Sequence, residues 1–180
     1  EPRKRAVVKV ARSDPRAQLT DLRFRTIPQS AFQTTYKKII DLSIDPESGP
    51  LKRKIQDAGV PLGSQYGIAF GLKTGDDSRF VTREPSPADH KPLLRGADIH
   101  RYRIEFAGEY VWYVPEKMVA HRSTARPGAA ERFEQPKVLV RDTGGGLQAT
   151  YDEDSYYVKD VLVVYLDPPD CARLKYLCAL

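Results

Sequence analysis

The chain is poor in the residues that usually carry chemistry. Its 180 residues include two cysteines, three histidines, one methionine and one tryptophan. Cys171 and Cys178 both lie in the last ten residues, in a stretch that reads as helix. Seven helical positions separate them by roughly 10 Å, too far for a disulfide. They read as small buried side chains, and the lack of a disulfide framework suggests a cytosolic protein. His90, His100 and His121 fall in three different segments with no helical pairing, which excludes a converging metal-ligand set among them. No apolar run approaches the roughly 18 residues that span a membrane. The start, EPRKRAVVKVAR, is basic with no apolar stretch behind it, so it does not read as a signal peptide. There is no Gly-x-Ser-x-Gly elbow. Gly144-Gly145-Gly146 follows a strand, but no Gly-Lys-Ser/Thr comes after it, so it reads as a turn and not a phosphate cradle. Asp152-Glu153-Asp154 are consecutive, and neighbouring carboxylates on a loop diverge. Neither a catalytic nor a metal site is expected in this chain.

Hydrophobic residues at 41% and charged residues at 29% suit one globular domain with a small attachment. The net charge of +5 is unevenly spread. Residues 1–60 hold 13 Lys+Arg against 7 Asp+Glu, residues 89–141 hold 10 against 7, and residues 142–180 hold 3 against 7. A split of this kind fits one basic face for a polyanion and another for the protein's own neighbours. The chain begins at Glu1, its methionine is Met118, and Leu180 lies inside an apolar helical pattern. Both ends look cut, as for a domain of a longer protein with its C-terminal helix truncated.

Period changes divide the chain at about residue 60. Residues 1–60 read as a basic, partly helical connector. Val7, Val8 and Val10 can form a short strand. Phe32, Tyr36, Ile39 and Ile40 form one apolar stripe with Ser30 as N-cap, which predicts a helix. A second helix is predicted over Pro50–Ala58, with Leu51, Ile55 and Ala58 on one face, Lys52, Arg53 and Lys54 on the other, and Gly59 as its stop. Residues 61–180 read as strand-rich. Tyr66–Val81 (YGIAFGLKTGDDSRFV) reads as a strand, a glycine-hinged turn and a returning strand, with Lys73, Thr74, Asp76 and Arg79 at the loop tip. Residues 83–92 form a proline-broken loop. Arg101 to Phe106 alternates as a half-buried strand, paired by hairpin spacing with Tyr110–Val114. Residues 115–130 read as irregular, and Ala129–Glu134 as a helical turn. Strands are expected at Lys137–Arg141, Leu147–Tyr151 and Tyr156–Leu166, and a helix at Asp170–Leu180. The class is α+β: a β-rich, twisted antiparallel or mixed sheet domain with a small helical N-terminal segment and peripheral helices.

From about Gly63 the chain resembles the TaqI-like C-terminal specificity domain of adenine-specific DNA methyltransferases and type IIG restriction-modification enzymes. The stretches that carry the likeness, in order, are GVPLGSQYGIAFGLKTGDDSRFV, KPLLRGADIHRYRIEF, RFEQPKVLVRDTGGGLQATYDEDSYYV and LDPPDCARLKYLCAL. The upstream FRTIPQSAF fits the connector of such domains. The resemblance implies a target recognition domain that reads double-stranded DNA beside the catalytic methyltransferase domain of the same bacterial-type chain, with or without endonuclease activity. S-adenosylmethionine would then belong to the parent's catalytic domain, and no cofactor to this fragment. Asp167-Pro168-Pro169-Asp170 differs from the catalytic Asp-Pro-Pro-aromatic tetrad of such enzymes in its last residue, so it reads as a strand-to-helix turn.

Arginine and lysine read guanine edges and bind phosphates, and glutamine and asparagine read adenine. On that chemistry the candidate DNA contacts are Lys73, Thr74, Arg79, Lys91, Arg95, Arg101, Arg103, Arg122, Arg126 and Arg141. Tyr102, Tyr113 and Tyr151 are aromatic candidates, and Gly71, Gly75 and Gly96 are expected to shape loops. The competing reading is a protein-interaction or subunit-docking domain of the same kind of enzyme, with no membrane role.

Overall fold

The computed structural model describes residues 6–11, 18, 20, 22–34, 40, 42, 48–86, 89–144 and 146–180. The chain divides into two compact units, Glu1–Val60 and Pro61–Leu180.

In the first unit, β1 (Val7–Ala11) pairs antiparallel with β2 (Phe24–Pro28), from Val7 opposite Pro28 to Ala11 opposite Phe24. The valines form the expected strand. A 3-10 helix over Gln29–Thr34 follows, so Ser30 lies inside a helical segment instead of capping one. Ile27 and Phe32 are buried. Tyr36 and Ile39 of the expected stripe lie outside the described residues. The second helix forms as α1 (Ser48–Ala58). Leu51 and Ile55 on its apolar face are exposed.

The second unit contains β3 (Gly67–Phe70), α2 (Asp77–Phe80), β4 (Val81–Thr82), β5 (His90–Leu94), β6 (Ile99–His100), β7 (Arg103–Ile104), β8 (Glu109–Trp112), α3 (Pro115–His121), α4 (Ala130–Glu134), β9 (Lys137–Arg141), β10 (Ala149–Asp152), β11 (Tyr157–Val158), β12 (Val161–Tyr165) and α5 (Cys171–Ala179). One four-stranded sheet is antiparallel, in the order β10-β9-β12-β3, and a second is mixed, in the order β11-β5-β8-β4. Strands and helices together make the α+β fold read from the sequence.

Alternation along β9 and β12 explains the layers. Leu139, Val161 and Val163 face a core shared with Leu93, Leu94 and Val111 of the second sheet and with Phe80, Met118, Phe133 and Tyr157. Val138 and Val164, one residue out of phase, join Leu166 and Leu174 beneath α5. Strands covered on both faces read as continuous apolar runs, as KVLVR and VLVVY do. Asp170 starts α5 by accepting a hydrogen bond from the Arg173 backbone N–H at 3.0 Å. Leu174 is fully buried and Cys178 partly so, while Cys171 is exposed and both thiols are free.

Four sequence expectations are corrected. Tyr66–Val81 is not a hairpin. β3 pairs with β12 and β4 pairs with β8, in different sheets, so the polar stretch between them is a crossover. Arg101–Phe106 is not one strand. Arg101 and Tyr102 form the tip of a two-residue hairpin between β6 and β7, and Tyr102 takes a left-handed φ of 70°. The partner of β8 is therefore β5, with Lys91 opposite Val111. Residues 115–121 form α3, started by Pro115 in its first turn. Tyr156–Leu166 breaks at Asp160, where φ is 57°, and its two halves enter different sheets.

A fully buried ion pair lies in the β9–β10 ladder. Lys137 and Asp152 are direct cross-strand partners, and their Nζ and Oδ2 atoms are 2.5 Å apart with both side chains wholly inaccessible. Lys137 Nζ also donates to the Phe133 carbonyl oxygen, and the Asp154 N–H donates to Asp152 at 2.9 Å. Burial pulls the Lys137 amine down and pushes the Asp152 carboxyl up, against their mutual attraction. Removing one partner strands the other charge. Lys137→Met is expected to cost about 3–5 kcal/mol, and adding Asp152→Leu to recover most of it. Urea midpoints check this, and a double variant no more stable than the single one would refute it. Gly71→Ala tests the crossover. A Cβ there would lie 2.3 Å from the Val158 carbonyl oxygen, so a loss of about 1–3 kcal/mol is expected in the same measurement.

Candidate nucleic-acid interface

The crossover between β3 and α2 is built on backbone contacts. Gly71 N–H donates to the Val161 carbonyl and Leu72 N–H to that of Val158, both at 2.8 Å. Lys73 and Arg126 exchange both backbone hydrogen bonds at 2.8 Å. At Gly75 the backbone has φ of 81°, and a Cβ would press on Arg122 Cβ at 3.0 Å. Glycine is suited there on both counts. Gly96 has room for a Cβ, whose nearest neighbour would be the Asp160 carbonyl oxygen at 3.4 Å.

These contacts bring Lys73, Arg79, Arg122 and Arg126 to one region, and all four are exposed. Arg79 reaches His121 Nδ1 at 3.3 Å, and His121 Nε2 lies 3.0 Å from Asp76. The Arg126 guanidinium donates to the carbonyls of Ser123 and Ala125 at 2.7 and 2.6 Å, leaving other guanidinium donors outward. The Asp76 carboxyl is lowered to about 2, first by the Ser78 hydroxyl at 2.6 Å and then by His121.

Thr74 and Arg95 are placed differently. Thr74 is buried, and its hydroxyl donates to Asp77 at 2.5 Å. Asp77 also receives Lys159 Nζ and lies 3.5 Å from Arg95. Burial alone would raise the Asp77 carboxyl, but Lys159, Thr74 and Arg95 together hold it below its ordinary value. Arg95 Nε donates to Glu109 at 2.5 Å, which raises the guanidinium further. Thr74 therefore braces the crossover from inside, and Arg95, partly exposed, is held between Asp77 and Glu109. Lys91 is half-exposed and paired with Glu134 at 3.1 Å. Tyr113 packs on Tyr157 and Phe133 and donates its hydroxyl to the Gly128 carbonyl at 2.7 Å. Lys175 sits over the Tyr151 ring at 4.7 Å.

A second region forms at the β6–β7 tip. His100, Arg101, Arg103, Gly146, Leu147 and Gln148 line an open cleft of about 490 Å³. Arg101 donates to the Leu147 carbonyl at 3.3 Å, and the Tyr102 N–H to that of Ala149 at 3.2 Å. Arg103 pairs with Glu105 at 2.6 Å, and His100 approaches the same carboxylate at 3.2 Å. Tyr102 and Leu147 are 63% and 72% exposed. Arg141 lies on β9 at the adjacent ladder end, half-buried. Leu147 and Gln148 were not among the sequence candidates, because a glycine-rich turn gives no sign of where the residues after it point. Among the described residues no group of three or more His, Cys, Asp or Glu side chains could hold a metal ion, and no helix is long and apolar enough to cross a membrane.

The Asp76 assignment yields a titration. A depressed carboxyl contributes stability above the ordinary carboxylate range, and that contribution is lost as pH falls toward about 2. Followed by NMR, the Asp76 midpoint should move up toward the ordinary range in Ser78→Ala, and by less in His121→Ala. The reverse order would contradict this geometry.

A search of curated proteins returns no match. Residues 91–180, half of the chain, match the family model of the TaqI-like C-terminal specificity domain, and the chain belongs to that family.

Proposed function

We propose that this chain is a sequence-specific double-stranded DNA recognition module that positions a separate adenine-methylating domain on its target site. Membership of the specificity-domain family carries the reading. The exposed cations Lys73, Arg79, Arg122 and Arg126 support it, since they supply phosphate contacts that set register and orientation. Arg101 and Arg103, at a second loop cluster, are suited to base edges. The chemistry stays with the catalytic domain, which takes the target base out of the stack and uses S-adenosylmethionine. This chain contributes binding and orientation. Ile68 and Phe70, 46% and 61% exposed on edge strand β3, support the docking half of the proposal.

Salt dependence separates a DNA module from a domain that only docks protein. Duplex affinity should fall steeply between about 50 and 200 mM salt. Lys73→Ala and Arg79→Ala should each weaken all sequences alike and reduce the salt slope by about one. Absence of duplex binding by the full chain at low salt would overturn the proposal.

A further inference from the structure

At the turn end of the β9–β10 ladder, beyond the last strand pair, the Arg141 N–H donates to the Gln148 carbonyl at 2.9 Å. Val140 is opposite Ala149, so Arg141 and Gln148 are cross-strand neighbours on one face. Arg141 Nε and Gln148 Oε1 are both buried, and neither has a hydrogen-bond partner among the described residues. One is a donor and the other an acceptor. Buried polar groups without partners are uncommon, and leaving them so is unfavourable. Here two occur side by side, at the edge of the cleft that Gln148 itself lines with Arg101 and Arg103. Turning the Gln148 amide into that cleft breaks no side-chain hydrogen bond, because its oxygen holds none.

The geometry points to a base-reading pair. We propose that Gln148, seated beside Arg141, determines specificity by recognising the major-groove edge of one adenine. Adenine presents an N6 amino donor and an N7 acceptor on that edge, and a glutamine amide satisfies both. The Gln148 oxygen accepts from N6 and its amide nitrogen donates to N7. Arg141, whose side chain Gln148 does not engage, turns its unpartnered Nε–H to the flanking phosphate or base. The backbone tie between the two residues fixes their spacing, and a reader on a strand end is held more closely than one on a free loop. Tyr102, next to Arg101 in the chain, and Leu147, whose carbonyl accepts from Arg101, are both exposed and supply apolar contact to the groove floor, where the paired thymine offers its methyl group. This inference rests on the DNA-recognition reading.

The test is selection of bound duplexes from a random pool by the full chain at about 50 mM salt, comparing the unaltered protein with Gln148→Met. The unaltered protein should specify adenine at one or more positions. In Gln148→Met, one of these positions should lose its preference, with about a 5- to 100-fold drop in affinity for the selected site. Preferences elsewhere and binding to unrelated duplex should persist. The thermal midpoint of Gln148→Met should stay level or rise, because methionine fills the space without an unpartnered acceptor. An unchanged selected motif, or a marked fall in thermal midpoint, would overturn this inference alone. So would a motif with no adenine position. Failure of the unaltered protein to bind any duplex would overturn the underlying DNA reading as well.

Discussion

One carboxylate fastens the two sheets of the second unit to each other. The chain passes between the sheets at 71–80, on the way from β3 to β4, and again at 159–160, between β11 and β12. Asp77 stands in the first passage and Lys159 in the second, and they are paired. Thr74 and Arg95 complete the shell around Asp77, and Arg95 carries the linkage on to Glu109 at the start of β8. The pair is only partly buried, so its strength is less important than its position. It joins segments 82 residues apart in sequence, and each of those segments already has its backbone held by the other at Gly71 and Leu72. The exposed cations of the crossover are presented from this braced frame. A loop with such support keeps its shape without a ligand, which lowers the ordering cost of binding.

The two basic regions differ in character. Around Lys73, Arg79, Arg122 and Arg126, cations project from a loop and from the end of α3 toward solvent, an arrangement suited to a charged backbone whose exact sequence does not matter. At the β6–β7 tip, charge is mixed with exposed aromatic and aliphatic side chains, with an amide and with partly balanced ion pairs. Surface pairs such as Arg103 with Glu105 are weak in water, so Arg103 can exchange Glu105 for another acceptor at little cost. The division suits the two tasks of the proposed recognition module: holding a duplex in register and discriminating among its base pairs.

Much of this was legible in the residues. PKVLVRD and the apolar run before Asp167 announce strands through β-branched density, and Asp170 announces α5 through its capping chemistry. The resemblance to the specificity domains was carried by the order of such stretches. The pairing of Tyr66–Val81 was not legible. A strand, a glycine turn and a second strand look the same whether they close a hairpin or cross between sheets, because the period of two records burial and not partners. Nor could the sequence reveal the tip at Tyr102. Tyrosine in the left-handed region is unusual, and the strict alternation from Arg101 to Phe106 argued for extension. Thr74 and Arg95 looked like binding residues because their chemistry is right; Thr74 is buried against Asp77 of its own crossover, and Arg95 is engaged by Asp77 and Glu109 from other segments. Gln148 stood after a glycine run, where nothing local fixes direction.

The buried Lys137–Asp152 pair has a consequence at a distance from itself. It occupies one end of the β9–β10 ladder, and Arg141 with Gln148 occupies the other, four residues along each strand. Sliding either strand by one residue would turn one partner to the opposite face and leave the other charge unpaired, so the pair acts as a gauge that disfavours other alignments. The turn between the strands is thereby relieved of setting the register, a duty that hairpin turns ordinarily carry. Residues 142–147 can lengthen, shorten or change composition while Gln148 stays opposite Arg141. On the proposed reading, a scaffold arranged this way can acquire a new preference by altering its turn, with the spacing of Arg141 and Gln148 set from the far end.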